Sequence, residues 1–188
     1  MADQKVTALS ENTTVATTDM LYLVDAPGGT PASQKATVAN VVAAGMVDIG
    51  ARVYNSGAIT LTTGAITALT FDSESYDTDT IHSTVANQSR LTATTAGKYC
   101  IWGNVSFATN ATGVRMVKIT KDGATDIAKI RAEPVSVATH PTEITISCEY
   151  QLAATNYVEL YCFQSSGGNL NVEQNTDFSP VFGMRKVG

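Results

Sequence analysis

Four carboxylates crowd one short stretch of the chain: Asp72, Glu74, Asp77 and Asp79, in the segment DSESYDTD. Hard oxygen ligands at such spacing suit calcium. The stretch lacks the sixth-position glycine and twelfth-position glutamate of an EF-hand loop, so the favoured reading is a solvated acidic loop with no bound metal. His82 and His140 are the only histidines, and so the only side chains whose ordinary titration falls near neutrality. His82 lies just beyond the acidic stretch, and His140 precedes Pro141 in a turn. Neither has a catalytic setting. The chain carries no GxSxG elbow, no HExxH helix and no phosphate-cradling loop. The many Ser and Asp residues form a Ser-His-Asp set only on paper. The sequence predicts no catalytic residue, no cofactor and no enzyme activity.

Three cysteines, Cys100, Cys148 and Cys162, fall inside strand-like runs. Their odd number and wide spacing argue against both a disulfide framework and a zinc site, so they read as small apolar residues of a reduced fold. The segment Gln164 to Asn175 is rich in amides and glycine, which suits hydrogen bonding to glycans as well as an ordinary exposed hairpin. The single Trp, Trp102, lies mid-strand and reads as packed.

The elements that hold these residues follow from composition and pattern. The 188 residues suffice for one compact domain plus an appendage, and the net charge of −5 gives no basic footprint for nucleic acid. Charged residues are sparse, while Thr, Ala, Val, Gly and Ser suit pleated sheets with neutral polar faces. No apolar run reaches the ~20 residues of a membrane span. Met1 is followed by polar residues rather than an apolar core, so the expectation is synthesis in a cytoplasm and no secretory leader.

From Arg52 onward, short apolar runs recur with turn signals between them, as in a sandwich. AITLTTGAITALTF reads as a hairpin-like pair around Gly64. KYCIWGNVSF puts Tyr99, Ile101, Val105 and Phe107 on one face and Trp102, Asn104 and Ser106 on the other. VRMVKIT ends at Asp122-Gly123, a strong two-residue hairpin signal. EITISCEYQL aligns Ile144, Ile146, Cys148, Tyr150 and Leu152. NYVELYCF sets Val158, Leu160 and Cys162 against Tyr157, Tyr161 and Phe163. FSPVFGMRKV is the last strand. Strands with apolar residues on both faces need more than one core. Trp102, Tyr157, Tyr161 and Phe163 are therefore expected to face sister chains, and cyclic closure makes the expected assembly a homotrimer.

Residues 1–50 differ. A Thr-rich leader precedes MLYLVD, a Pro/Gly turn over APGGTP, a return strand over SQKATV, and a short helix from an N-cap at Thr37 to a stop at Gly45. Val38, Val41 and Val42 would share one helix face. Such a unit is too small to be stable alone and must dock on something.

The order of motifs from Tyr54 to Val187 resembles the tumour-necrosis-factor-like jelly roll, the fold of complement's trimeric globular heads. Phe71 stands where that family has its first core aromatic. Ala96-Gly97-Lys98-Tyr99 resembles its AGxY turn, Ile119 to Gly123 its hydrophobic-x-Lys-Asn-Gly hairpin, and Asn156 to Leu160 its GDYVEL strand. Phe178 to Gly183 resembles its final SxFxG strand with two residues inserted. Asn156 departs from the family's Asp. Thr13 to Gly45 resembles an attachment module of phage fibre and spike proteins. These resemblances imply an all-β antiparallel jelly-roll head over 51–188, carried by a virion-attachment segment over 1–50 in which Leu21, Leu23, Val38, Val41 and Val42 supply the apolar contact. They imply a bacteriophage virion protein, located on the particle, with phage capsid or tail proteins as partners and a host-surface glycan as an outward ligand class. The linker AGMVDIGARV holds no heptads and no shaft repeat. A stubby particle suits a capsid decoration or short head fibre; the alternative is a tail fibre or spike head that binds a host receptor.

Overall fold

The computed structural model describes residues 16–25, 32–38, 48–136, 139–175 and 177–188. The chain divides into two compact units, Met1–Val47 and Asp48–Gly188.

In the first unit, β1 (Met20–Asp25) and β2 (Ala32–Thr37) pair antiparallel, from Met20 opposite Thr37 to Asp25 opposite Ala32. The Val38 amide then donates to the Asp19 carbonyl (2.8 Å), which ties the exit of β2 to the entry of β1. Leu21 and Leu23 are strand residues of β1. Val41 and Val42, the Pro/Gly turn and most of the expected helix lie outside the described residues.

The second unit is an antiparallel sandwich of two sheets, as the strand pattern predicts. Five strands make the smaller sheet: β10 (Thr125–Ala132), β9 (Arg115–Lys121) and β12 (Tyr157–Gln164), with β5 (Ile66–Ala68) and β7 (Arg90–Thr92) sharing the far edge of β12. The larger sheet runs β4 (Ile59–Leu61), β13 (Leu170–Val172), β8 (Gly97–Phe107), β14 (Val181–Lys186), β3 (Gly50–Tyr54) and β6 (Ser73–Asp77), and β11 (Thr142–Leu152) pairs along the other edge of β8. The period-2 alternation decides which side chains point inward. Tyr99, Ile101, Val105 and Phe107 of β8 meet Val117, Ile119, Val158, Leu160 and Cys162 of the smaller sheet in one buried core. Phe71 stacks on Phe182 at 5.8 Å between ring centroids. Gly103 lets the sheets approach: a Cβ there would lie 2.7 Å from a Leu160 methyl.

Two local expectations are corrected. The runs around Gly64 do not pair with each other. β4 pairs with β13 in one sheet and β5 with β12 in the other. Gly64, at φ +78°, turns the chain from one layer to the next instead of closing a hairpin. The polar Gln164–Asn175 stretch is not all loop, because Leu170 and Val172 are buried in β13. Gln164 is fully buried and donates from Nε2 to the Leu61 and Gly168 carbonyls (3.1 and 2.8 Å).

Candidate functional site

The acidic stretch resolves into four separately occupied carboxylates. Asp72 accepts from the backbone and hydroxyl of Ser56 (2.8 and 2.5 Å), and that hydroxyl holds its carboxyl below the ordinary value. Glu74 faces His82 Nδ1 at 2.9 Å. Asp77 accepts the amides of Asp79, Ile81 and His82 (3.1, 3.0 and 2.9 Å). Asp79 accepts the Thr94 hydroxyl. The four are not brought together, and among the described residues no group of three His, Cys, Asp or Glu is placed to hold a metal ion. These carboxylates shape the loop between β6 and β7. His82 braces the same loop from inside, with its ring buried and its Nε2 facing the Gln88 carbonyl at 3.2 Å. His140 is exposed, with Nδ1 at 3.0 Å from the Thr139 hydroxyl. The two histidines are held by different loops, with none of these partners in common.

The four aromatic residues expected at a chain–chain interface stand on opposite outer faces of the sandwich. Trp102 projects outward from the larger sheet. Its neighbour across the ladder is Gly183, where a Cβ would fall 2.3 Å from Cζ2 of the indole, so the ring lies across the bare β14 backbone. Tyr54 and Tyr76 share this face by register, opposite Val181 and Arg52. Two polar side chains of the face are already engaged. Arg52 donates to Ser75 Oγ (2.6 Å) and to the Asp177 carbonyl. Asn104 donates to the Phe178 carbonyl (2.8 Å) and accepts from Thr145 (2.7 Å). Tyr76 is 40 % and Phe178 39 % exposed and Trp102 is half-buried, with Ser147 and Glu149 exposed on the same face by register.

Tyr157, Tyr161 and Phe163 project from the smaller sheet, on the other side. There Arg90 stacks over the Tyr157 ring (4.0 Å) and Lys118 sits near the Tyr161 ring (5.4 Å). The Tyr161 hydroxyl donates to Glu159 (3.0 Å), whose second oxygen accepts from Ser89 (2.7 Å) and lies 3.6 Å from Arg90 Nε. Asp126 bridges Lys118 and Lys129 (2.7 and 2.5 Å). This is a ladder of alternating charges and rings that the chain satisfies by itself. A threefold ring uses two different patches per chain. The separation of Trp102 from the tyrosines is thus compatible with closure, and among the described residues no cation is stacked on the indole. Burial, then the hydrogen bond from Tyr161 to Glu159, pushes the Tyr161 phenol above its ordinary value.

One buried residue escaped the sequence reading. Arg115 is fully buried without a carboxylate partner. Its guanidinium donates to the carbonyls of Asn110, Thr112 and Val114 (2.7, 2.9 and 3.2 Å) and burial lowers its pKa. Asn156, where the family pattern has Asp, accepts the Ala153 amide (2.9 Å) and donates to Asp122 (2.9 Å). Only an amide does both, because a carboxylate there would repel Asp122. The cysteines are free: Cys100 exposed, Cys148 half-buried, Cys162 buried.

The two-layer antiparallel sandwich defines a jelly roll. No family model and no curated protein matches the chain. Solved structures place it more narrowly. Eiger TNF from S. frugiperda is similar with a TM-score of 0.56 at 11 % identity, over 76 % of this chain and 94 % of that one. Murine APRIL, solved at pH 8.5 and at pH 5.0, gives 0.57 at 8 % identity, over 74 % of this chain and 99 % of that one. The chain has the tumour-necrosis-factor-like jelly-roll fold.

Proposed function

We propose that the chain is a structural virion protein of a bacteriophage: a homotrimeric capsid decoration or short head fibre that binds rather than catalyses. The observation that carries this reading is the division of the chain. A small unit, Met1–Val47, precedes the jelly-roll unit Asp48–Gly188 with no shaft sequence between them. The first unit supplies the attachment hairpin, and its sequence resemblance to phage attachment modules supports a place on the particle. The second supplies the head. Three heads close through the Trp102 face, which buries an indole and two tyrosines that one sandwich leaves partly open. Three attachment units held on one head raise each other's local concentration at the capsid, so weak single contacts become persistent.

The test is removal of residues 1–47. The shortened chain is expected to remain a trimer and to stop co-sedimenting with particles. A trimeric head that still decorates particles would refute the anchoring role.

A further inference from the structure

The loop between β6 and β7 frames an open cavity of about 180 Å³ whose walls include Thr80, Ile81, Asn87, Arg90 and Thr92. We propose that this cavity binds an acidic monosaccharide unit, with the sugar carboxylate on Arg90 and the sugar hydroxyls on Thr80, Asn87 and Thr92. The inference goes beyond the virion reading and does not depend on it.

Four observations lead there. First, Arg90 is fixed but unspent. Its guanidinium is clamped over the Tyr157 ring at 4.0 Å and its Nε lies 3.6 Å from Glu159, while its terminal nitrogens make no hydrogen bond to any described residue. A guanidinium held flat by a ring presents a planar fork that matches a carboxylate. Second, no carboxylate lines the cavity. The nearby acids are each engaged elsewhere, Glu74 with His82, Asp77 with three amides and Asp79 with Thr94. Third, the side chains of Thr80, Asn87 and Thr92 make no hydrogen bond to described residues, and Thr80 and Asn87 are exposed. These are neutral donors and acceptors of the kind vicinal hydroxyls take up. The methyl group of exposed Ala86, another residue of the wall, suits the C–H face of a sugar ring. Fourth, the loop is pre-shaped. Thr80 and Asn87 hold φ of +55° and +53°, which side chains rarely adopt, and Asp77 and the His82 ring lock the turn between them.

Size narrows the ligand. Cavities that enclose drug-sized molecules run from roughly 300 Å³ upward, and this one is smaller. A single inorganic anion would leave the threonines and Asn87 unused. Because Glu159 already shares the Arg90 charge, the affinity of one site is weak, with Kd on the order of 1–10 mM.

The probe is methyl glucuronide, titrated into the full chain and followed by amide NMR shifts, with methyl glucoside and acetate as comparators. The expected result is a saturable shift confined to residues 80–92. Glucoside and acetate should each bind at least about tenfold more weakly, and Arg90→Gln should cost about the same factor. Thr80→Val and Asn87→Ala alter exposed side chains and keep the test open should the Arg90 variant misfold; each is expected to weaken binding several-fold. No saturable shift up to about 100 mM glucuronide would overturn the proposal. Acetate binding as tightly as glucuronide would overturn the sugar assignment, as would unchanged affinity in both the Thr80 and Asn87 variants.

Discussion

Gly103 and Leu160 offer the sharpest test of how the two sheets meet. A Cβ built on Gly103 lies 2.7 and 2.8 Å from the two Leu160 methyl carbons and 3.3 Å from Cγ. Ordinary carbon contacts sit at about 3.5–4.0 Å, so Gly103→Ala forces the fully buried Leu160 to retreat by roughly 1 Å. Overpacking of this kind costs about 1–3 kcal/mol. The lower chain entropy of alanine in a strand offsets roughly 0.5–1 kcal/mol, leaving a net loss of about 0–2.5 kcal/mol. Leu160→Ala alone should cost about 2–5 kcal/mol through the cavity it opens. In the double variant the new methyl fills part of that cavity, so the combined loss should fall short of the sum by about 1–2 kcal/mol. Urea unfolding at one fixed chain concentration measures all three, since an oligomer's stability depends on that concentration. Strictly additive losses would mean that Gly103 does not face Leu160 and that the alternation along β8 is misassigned.

Sedimentation of the full chain at micromolar concentration is expected to give a species of three times the 19.8 kDa chain mass, and Trp102→Glu to shift it toward monomer. A monomer in the parent chain would refute the trimer. Arg115→Ala should destabilise by about 2–4 kcal/mol, because it leaves the Asn110, Thr112 and Val114 carbonyls unpaired around a void; denaturation within about 0.5 kcal/mol of the parent, the effect of an ordinary surface change, would contradict that role. Asp72, Asp122 and Asp126 have carboxyls held below their ordinary 3.8, chiefly by the Ser56 hydroxyl, by Lys121 and by Lys118 with Lys129. The stability they add is therefore present above pH 3.8 and lost as the pH falls through their lower folded values. All three are largely solvent-screened, so the melting temperature should fall only modestly between about pH 5 and pH 2, and a rise over that range would contradict the assignment.

Much of the head was legible because period-2 alternation is a local signal. Tyr99 to Phe107, Ile144 to Leu152 and Val158 to Cys162 point inward as their sequence order demands. Asp122-Gly123 also closes its hairpin where the dipeptide places it. Sheet membership was not legible. β4 and β5 are three-residue strands whose partners, β13 and β12, lie some hundred residues on, and no local pattern encodes that pairing. The same limit hides how the expected interface residues are distributed over the two sheets. Alternation says that Trp102, Tyr157, Tyr161 and Phe163 point away from the core, but not that they do so from different sheets. Nor does it show that Arg90 and Lys118 cover two of the rings. The four carboxylates of the acidic stretch are kept apart for a related reason. The segment bends through β6 and the following loop, so spacing along the chain did not become proximity in space. A buried arginine held only by carbonyls has no sequence signature.

The most direct test of the proposed role is cryo-electron microscopy of intact particles carrying a label on this protein. Threefold densities on the capsid surface, each with the jelly roll outermost and residues 1–47 at the shell, are the expected result. Label confined to the tail tip would replace the decoration role with receptor binding, and particles without label would contradict the virion assignment altogether.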